Sequence, residues 1–130
     1  MNTPDNLKYT AEHEWVLVDE DGLVVVGITD FAQSELGELV YIEVDTIGEN
    51  LEQNEVFGTV EAVKTTSDLY MPISGIVIEF NTAIDETEGD NPALLNSDPY
   101  GEGWIVKIKM SDESELDSLL SAEEYKSSIG

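Results

Sequence analysis

Cysteine is absent from this chain of 130 residues, and several other residue types are scarce. Without cysteine the chain can form neither a disulfide nor a thiolate metal site. The single histidine, His13, cannot supply the usual multi-histidine zinc site, and we interpret it as a structural residue. No run approaches the roughly 18 apolar residues of a membrane span, and the amino terminus, MNTPDNLKYT, lacks the basic start and apolar core of a secretory signal. The composition therefore predicts a cytoplasmic protein with no metal and no membrane contact.

Positive charge is nearly as scarce, because five lysines and no arginine stand against 29 acidic residues, for a net charge of −24. Binding to nucleic acid requires lysine and arginine to neutralise phosphates, so nucleic acid is not expected as a partner. A strongly negative surface would instead be steered towards electropositive sites on protein partners. A solvated acidic face or an adaptation to salt would explain the same charge, and composition alone does not choose between them.

The groups that an enzyme of this size usually contains are also missing. There is no His-Glu-x-x-His zinc helix, and Gly101-Glu-Gly103 lacks the further glycine and the lysine of a phosphate-binding loop. Acidic residues are so abundant that choosing two as an acid–base pair would be arbitrary. We therefore do not expect the chain to be an enzyme. Its length suffices for one domain with a real core, so we expect a single domain, residues 1–130.

Short apolar segments separated by turns dominate what is present. Their β-branched and aromatic residues are typical of strands, and in the last segment apolar residues alternate with lysines, as in a half-buried strand. Many short strands predict a mainly β fold, a sandwich or a flattened barrel. Residues 81–100, rich in Asp, Glu, Asn and Pro, are predicted to form a long ordered loop. The predicted strands are residues 23–28, 39–44, 56–63, 69–73, 75–80 and 104–110.

Helices are predicted at only a few places, from their capping residues. Thr29 or Asp30 can cap a short helix that ends at Gly37. Ser111 can cap a second helix, because an apolar stripe of leucines follows it at helical spacing. The stretch Ser121-Ala-Glu-Glu124 has the spacing of a capping box and predicts a last helix near the carboxyl terminus.

One lysine lies where a hairpin turn is predicted. If the third and fourth strands pair, Lys64-Thr65 forms the tip, and Glu61 lies opposite Asp68 at its base. Two-residue hairpin turns favour Asn-Gly, Asp-Gly or Gly at fixed places because φ must be positive, and Lys-Thr offers none of these. A turn that contradicts its local rule is often retained for function. The alternative is a solvated lysine in a slightly longer loop.

The residues around this lysine carry a resemblance that extends over nearly the whole chain. Residues 60–69, VEAVKTTSDL, resemble the lipoyl-attachment motif of the H protein of the glycine cleavage system. Three other stretches resemble further motifs of that family, in the family's order. They are YTAEHEWV at 9–16, GITDFAQSELG at 27–37 and NSDPYGEGW at 96–104. Together with the terminal helices, these motifs cover the chain from about residue 7 to residue 129.

The resemblance implies a covalent site at Lys64, which would carry lipoic acid through an amide on its side-chain nitrogen. Glu61 and Asp68 would flank the lysine and be recognised by the lipoyl ligase. Ala62 and Thr65 stand where serine and alanine are common in the family. These two departures leave Glu61, Lys64 and Asp68 in place. Lipoate would be the cofactor, and the protein would carry a substrate instead of acting as an enzyme.

The family's fold and cleft are implied in the same way. The fold would be a lipoyl-domain-like β sandwich or flattened barrel, a barrel-sandwich hybrid, with a short helix after the first strands and helices at the carboxyl terminus. Its lipoyl-binding core would cover about residues 22–106, and its helical segment about 111–129. In the family the loaded arm is held in a cleft, for which Glu14 and then Glu12 are the candidates here, with Asp68 a weaker one.

The implied partners are the enzymes that a monomeric shuttle would visit in turn. They are a pyridoxal-phosphate glycine decarboxylase, a tetrahydrofolate-dependent aminomethyltransferase, a flavin dihydrolipoyl dehydrogenase and a lipoyl ligase or transferase. A relay that donates lipoyl groups to other acceptor domains would use the same Lys64. Lipoyl domains of 2-oxo acid dehydrogenases and biotin carriers also place a lysine at a hairpin tip, but with different neighbours. An unmodified acidic binding module is the alternative from a different class.

Overall fold

Two antiparallel sheets form the fold of this computed structural model, which describes residues 2–129. The larger sheet has six strands in the order β1-β2-β3-β9-β8-β5, and the smaller has three in the order β4-β6-β7. The strands of the larger sheet are β1 Lys8–Tyr9, β2 Glu14–Val18, β3 Val24–Ile28, β5 Asn50–Leu51, β8 Gly75–Phe80 and β9 Val106–Met110. Those of the smaller sheet are β4 Leu39–Glu43, β6 Val56–Ala62 and β7 Thr66–Tyr70.

The main apolar core lies between the two sheets. Strand β3 is buried at all five positions because it runs between β2 and β9 and is covered on both faces. On its inner face Val24 and Val26 join Phe57 and Val60 of the smaller sheet in one buried cluster. A second cluster, built around Trp15 and the terminal helix, covers the outer face. The predicted mainly β fold with two packed sheets is confirmed.

The helices are short and lie near chain reversals. Helix α1, Asp30–Leu36, begins where the Thr29 hydroxyl accepts a hydrogen bond from the backbone nitrogen of Ala32 at 3.1 Å. It ends at Gly37, whose φ of 81° is a left-handed value that a glycine adopts at little cost. Both predicted ends of this helix are confirmed. The other helices are α2 Leu94–Ser97, a 3₁₀ helix Glu113–Ser118 and α3 Ala122–Ile129.

The caps of the two carboxyl-terminal helices lie where they were predicted, except that the first cap is one residue later in the chain. Asp112, and not Ser111, caps the 3₁₀ helix, because its carboxylate accepts from the backbone nitrogen of Ser114. The predicted capping box before α3 is confirmed, since the backbone nitrogens of Ser121 and Glu124 each donate to the other residue's side chain, at 2.9 and 3.2 Å. Tyr125 of α3 stacks on Tyr9 of β1, with ring centroids 4.7 Å apart.

Some elements lie outside the predicted ones. Strands β1, β2 and β5 were not expected, and α2 interrupts the segment 81–100 that was expected to be a loop. Strand β7 begins at Thr66, three residues before the predicted start at Leu69. Across the described residues 2–129, none of the helices has both the length and the apolar character needed to cross a bilayer.

Candidate functional site

Lys64 lies in the loop that joins β6 to β7. The two strands pair in a register that places Glu61 opposite Thr66 and Thr59 opposite Asp68. The predicted register, with Glu61 opposite Asp68 and a two-residue turn at Lys64-Thr65, is therefore wrong by two residues. The loop spans residues 63–65 instead, and beside it the backbone nitrogen of Ala62 donates a hydrogen bond to the carbonyl of Thr65 at 2.7 Å.

The longer loop follows from the pairing of β6 with its other neighbour, β4. Ala62 pairs with Leu39, and the backbone nitrogen of Val63 donates to the carbonyl of Glu38 at 3.0 Å. Val63 is thereby held against the start of β4 and is not available to pair across the hairpin with Thr66. The loop is fixed on one side, while its tip, Lys64, is exposed.

The side chain of Lys64 passes over the end of helix α1. A Cβ atom added to Gly37 would lie 3.3 Å from Cε and 3.9 Å from Nζ of Lys64. Glycine at this helix end therefore permits both the left-handed φ and the close approach of the lysine stem. Among residues 2–129, the one ion pair joins Lys107 to Asp19, so within that range the amine of Lys64 is held by no carboxylate. An exposed amine of this kind fits acylation by lipoate.

One cavity lies between α1 and the start of β7. It has a volume of about 320 Å³, and we call it the acidic cavity because two of its seven lining residues are glutamates. Phe31 and Glu35 lie four residues apart on α1, as do Ala32 and Leu36, so one face of the helix forms its wall. The lining residues are Glu12, His13, Phe31, Ala32, Glu35, Leu36 and Ser67.

A second cavity, of about 510 Å³, lies between α1 and α2. We call it the amide cavity because the side-chain amides of Gln33 and Asn96 form part of its wall. Glu38, which binds the Lys64 loop through its carbonyl, also lines it. The lining residues are Gln33, Ser34, Gly37, Glu38, Ala93, Asn96 and Ser97.

Glu14, the first candidate for holding a loaded arm, is buried and is not among the residues that line the acidic cavity. Its side chain is 2% exposed; one carboxyl oxygen accepts from the backbone nitrogen of Tyr70 at 2.8 Å and the other from the Thr10 hydroxyl at 3.4 Å. Burial raises the pKa of the Glu14 carboxyl to about 8, against the lowering effect of these hydrogen bonds. The predicted role of Glu14 stays a prediction.

The other sequence candidates divide between the cavity and the surface. Glu12, the second candidate, does line the acidic cavity, and it is exposed. Asp68 and Glu61 are exposed on β7 and β6, and Asp68 directly follows the lining residue Ser67. The structure thus brings Glu12 and the β7 end of the attachment motif to one cavity, while Glu61 lies at the base of the Lys64 loop.

His13 is held by the terminal helix, in agreement with a structural interpretation. Its Nδ1 lies 2.9 Å from the Tyr125 hydroxyl, which is in turn 2.8 Å from the hydroxyl of Thr29, the cap of α1. The His13 ring also packs on Phe31, with ring centroids 4.8 Å apart. Sequence reasoning missed Phe31, Glu35 and the wall that they form with His13. The spacing of Phe31 and Glu35, four residues apart within the motif at 27–37, is the sequence signal that could have identified this wall.

Several comparisons with known proteins agree on one family. The family model described as Glycine cleavage H-protein matches residues 7–130. A glycine cleavage system H protein of Bacteroides thetaiotaomicron is 52% identical over 99% of this chain and 98% of its own length. One of Chlorobaculum parvum is 51% identical over 100% and 99%. The crystal structure of a glycine cleavage system H protein from Mycobacterium marinum matches with a TM-score of 0.83 and 40% identity, covering 98% of both chains.

Proposed function

Because this chain belongs to the glycine cleavage H-protein family, we propose that it carries lipoate covalently on Lys64. Membership of the family makes the protein a lipoyl carrier of the glycine cleavage system. When attached, lipoate supplies a cyclic disulfide that accepts an aminomethyl group and the electrons that leave with it. The observation that carries the proposal is the exposed Lys64 at a loop tip that two backbone hydrogen bonds fix, inside the attachment motif.

The surroundings of the lysines favour Lys64 over two others in the chain. Lys107 pairs with Asp19 at 3.8 Å and lies 5.3 Å from the ring of Trp104, so its amine is engaged. Lys109 lies within the six-stranded sheet, in β9, where it pairs with Ile76. Lys64 alone projects from a hairpin loop, where a modifying enzyme can enclose both flanking strands. Glu61 and Asp68 on those strands are the acidic residues through which a lipoyl ligase would recognise the loop.

The acidic cavity suits a cationic load. A group on the end of the arm that carries an amine would be attracted to the carboxylates of Glu12 and Glu35 and could bond to the hydroxyl of Ser67. Glu14 is buried and follows the lining residues Glu12 and His13 in sequence. Its carboxyl group would lose its proton more readily if a cation came close to it, because a nearby opposite charge favours the charged form. Glu14 would then supply a negative charge when the amine arrives, and Asp68, which follows the lining residue Ser67, is the weaker candidate for the same role.

Partners are proposed from the family's reaction cycle. A glycine decarboxylase with pyridoxal phosphate would load the arm, a tetrahydrofolate-dependent aminomethyltransferase would unload it, and a flavin dihydrolipoyl dehydrogenase would reoxidise it. A carrier that visits each enzyme in turn requires contacts that form and break quickly. The net charge of −24 supports steering of the carrier to positive surfaces around the partners' channels. In this proposal the carrier is cytoplasmic and catalyses no reaction itself.

The test is the intact mass of the protein produced in cells that receive lipoate and a lipoyl ligase. The wild-type chain is expected to gain the mass of one lipoyl group, and the Lys64→Arg variant none. Lys109→Arg is the matched control, because it also removes an exposed lysine from a strand-rich region, and it is expected to gain one group. A wild-type chain that stays unmodified, beside another H protein that is modified in the same cells, would refute the proposal.

A further inference from the structure

The Lys64 loop rests on the three residues where helix α1 ends and strand β4 begins. We call these residues, 37–39, the corner. The backbone nitrogen of Val63 donates to the Glu38 carbonyl at 3.0 Å, and the stem of Lys64 passes over Gly37. Because the loop is bonded to the corner in this way, the position of the corner determines the position of the loop.

The corner has little rigidity of its own, because its first residue is a glycine. Gly37 has a φ of 81° and a ψ of −155°, a conformation that residues with a Cβ atom rarely adopt. A glycine can leave this conformation for many others at little cost. Helix α1 supplies one bond, from the Gly37 nitrogen to the Gln33 carbonyl at 2.9 Å. Fixing the corner therefore requires contacts from outside the helix.

Asn96 of helix α2 supplies these contacts. Its side-chain nitrogen donates to the Gly37 carbonyl at 2.9 Å, and its side-chain oxygen accepts from the backbone nitrogen of Leu39 at 3.0 Å. One planar amide thus binds the first and the last residue of the corner. The carbonyl of Glu38, between them, is the group that binds Val63. Asn96 therefore holds the corner from one side, and the Lys64 loop is bonded to the other.

The side chain of Asn96 is itself fixed in place. Its neighbour in α2, Leu95, is fully buried in the main apolar core. The Asn96 nitrogen also donates to the side-chain oxygen of Gln33 at 3.0 Å, and the Gln33 nitrogen donates to the carboxylate of Asp30 at 2.8 Å. Rotation of the Asn96 amide would break three hydrogen bonds at once, so the side chain has one favoured orientation.

We propose that Asn96 is the positioning residue of the Lys64 loop and that it sets the affinity with which a lipoyl ligase binds this loop. The inference rests on the proposed attachment of lipoate to Lys64. An enzyme that binds a loop already held in one geometry loses no free energy in ordering it. Without Asn96, the corner and the loop would divide their time among several conformations, and only part of the molecules would be ready to bind.

Asn81 offers a matched control with the same chemistry in another place. Its side-chain nitrogen donates to the carbonyls of Glu102 and Trp104, at 2.8 and 2.7 Å. Its oxygen accepts from the backbone nitrogen of Ala83 at 3.0 Å. Replacing either Asn81 or Asn96 by alanine removes three hydrogen bonds, so both variants should lose stability. Only the change at Asn96 removes bonds to the corner.

Hydrogen exchange of the unmodified protein tests the positioning without any lipoyl chemistry. The backbone amide of Val63 reports on the corner, and that of Met71, which bonds to the Glu55 carbonyl at the other end of the hairpin, corrects for lost stability. The ratio of the Val63 rate to the Met71 rate is expected to rise about tenfold or more in Asn96→Ala. In Asn81→Ala this ratio is expected to stay at the wild-type value. Equal ratios in the two variants would overturn the inference.

The kinetics of lipoylation test the consequence for recognition. A purified lipoyl ligase is supplied with its cosubstrates, and the unmodified carrier is the varied substrate. Asn96→Ala is expected to raise KM for the carrier about fivefold or more and to keep kcat within about twofold of the wild type, because a saturating carrier still fills the enzyme with the competent loop. Asn81→Ala is expected to change neither constant.

A conservative variant provides a second test at the same position. Asn96→Asp keeps an oxygen for the Leu39 nitrogen but loses both bonds that the amide nitrogen donates. It is expected to raise KM in the same direction by a smaller factor, and it carries the test if Asn96→Ala does not fold. A wild-type KM in Asn96→Asp, with a wild-type exchange ratio, would refute the positioning role.

The outcomes separate this inference from the proposed function. A wild-type chain that the ligase never modifies refutes attachment at Lys64, and a role of Asn96 in recognition falls with it. A modified wild type with an unchanged KM in Asn96→Ala keeps the carrier function and refutes the positioning role. A KM that rises equally in Asn81→Ala would assign the effect to lost stability and would equally refute the inference.

Discussion

Glu14 of β2 accepts a hydrogen bond from the backbone nitrogen of Tyr70 in β7, at 2.8 Å, so a buried carboxyl group joins the larger sheet to the smaller one. The strand that it holds leads back to the Lys64 loop. A glutamate that is 2% exposed is unusual because burial disfavours its charged form. The stability of the fold should therefore depend on the protonation of this single residue.

The first prediction concerns the pH dependence of stability in Glu14→Gln. The pKa of Glu14 is raised to about 8 in the folded protein, so the folded state binds the proton more tightly than the unfolded state does. The contribution of Glu14 to stability is complete below its unfolded pKa and is lost as the pH rises towards 8. The wild type should lose stability relative to the glutamine variant between about pH 5 and pH 8, by at most about 1.4 kcal/mol for each pH unit.

Urea denaturation of both proteins at several pH values measures this difference. The other carboxyl groups are present in both proteins, so their effects on stability cancel when one curve is subtracted from the other. Glutamine keeps an oxygen for the Tyr70 nitrogen, so the variant should fold. Parallel stability curves across this range would show that Glu14 ionises at an ordinary pKa and would contradict the prediction.

The second prediction concerns the hydroxyl of Tyr125. Tyr125→Phe removes the group that lies within hydrogen-bond distance of His13 Nδ1 and of the Thr29 hydroxyl, in a region where Tyr125 is fully buried. The loss should lower the free energy of unfolding by about 1–3 kcal/mol, because buried polar groups lose a partner. Tyr41→Phe is the matched control, since the Tyr41 hydroxyl bonds to Glu43 at the surface. Equal unfolding midpoints of the two variants in urea would contradict the prediction.

The third prediction concerns the contact between Gly27 and Trp15. A Cβ atom added to Gly27 would lie 2.5 to 2.7 Å from three atoms of the indole ring, whose nitrogen donates to the carbonyl of Pro99 at 2.9 Å. Gly27→Ala should displace the ring, break that hydrogen bond and destabilise the fold by about 1–3 kcal/mol. Thermal unfolding and the near-ultraviolet circular dichroism of the indole measure both effects. An unchanged spectrum with wild-type stability would show that the added methyl group fits without displacing the ring, and would contradict the prediction.

The fourth prediction concerns the rate of association with glycine decarboxylase. The net charge of −24 should accelerate encounter with a positive docking surface, so the association rate constant should fall by about tenfold or more between low salt and physiological salt. The dissociation rate constant should change much less. Stopped-flow mixing of the lipoylated carrier with the decarboxylase measures both rates. An association rate that is independent of salt would assign the acidity to solubility alone.

Local signals in the sequence were sufficient for elements that local chemistry determines. Thr29 and Gly37 define the ends of α1 because a cap and a left-handed glycine act within one turn. Ser121 and Glu124 define the start of α3 in the same way. The placement of Lys64 at a hairpin loop also followed from sequence, since two β-rich segments flank it.

Features that depend on distant partners could not be predicted. Strand β1 has two residues and no periodicity to detect, and it is fixed by β2 and by a bridge to Leu120. The hairpin register depends on the hydrogen bond between Val63 and the carbonyl of Glu38, a contact from a third strand that no turn rule contains. The burial of Glu14 is also nonlocal, because a glutamate next to a tryptophan in sequence gives no sign that a strand 56 residues later will cover it.

The attachment loop of Lys64 has a further consequence for how this carrier meets other proteins. Val63 is bound to the carbonyl of Glu38, Ala62 pairs with Leu39, and the lysine stem rests on Gly37. If Lys64 carries lipoate, the anchor of the arm would therefore be fixed by these contacts, and the volume that the arm can reach would be set by its own length. Each proposed partner would then have to place its reaction centre within reach of this one point, so different enzymes would compete for one face of the carrier.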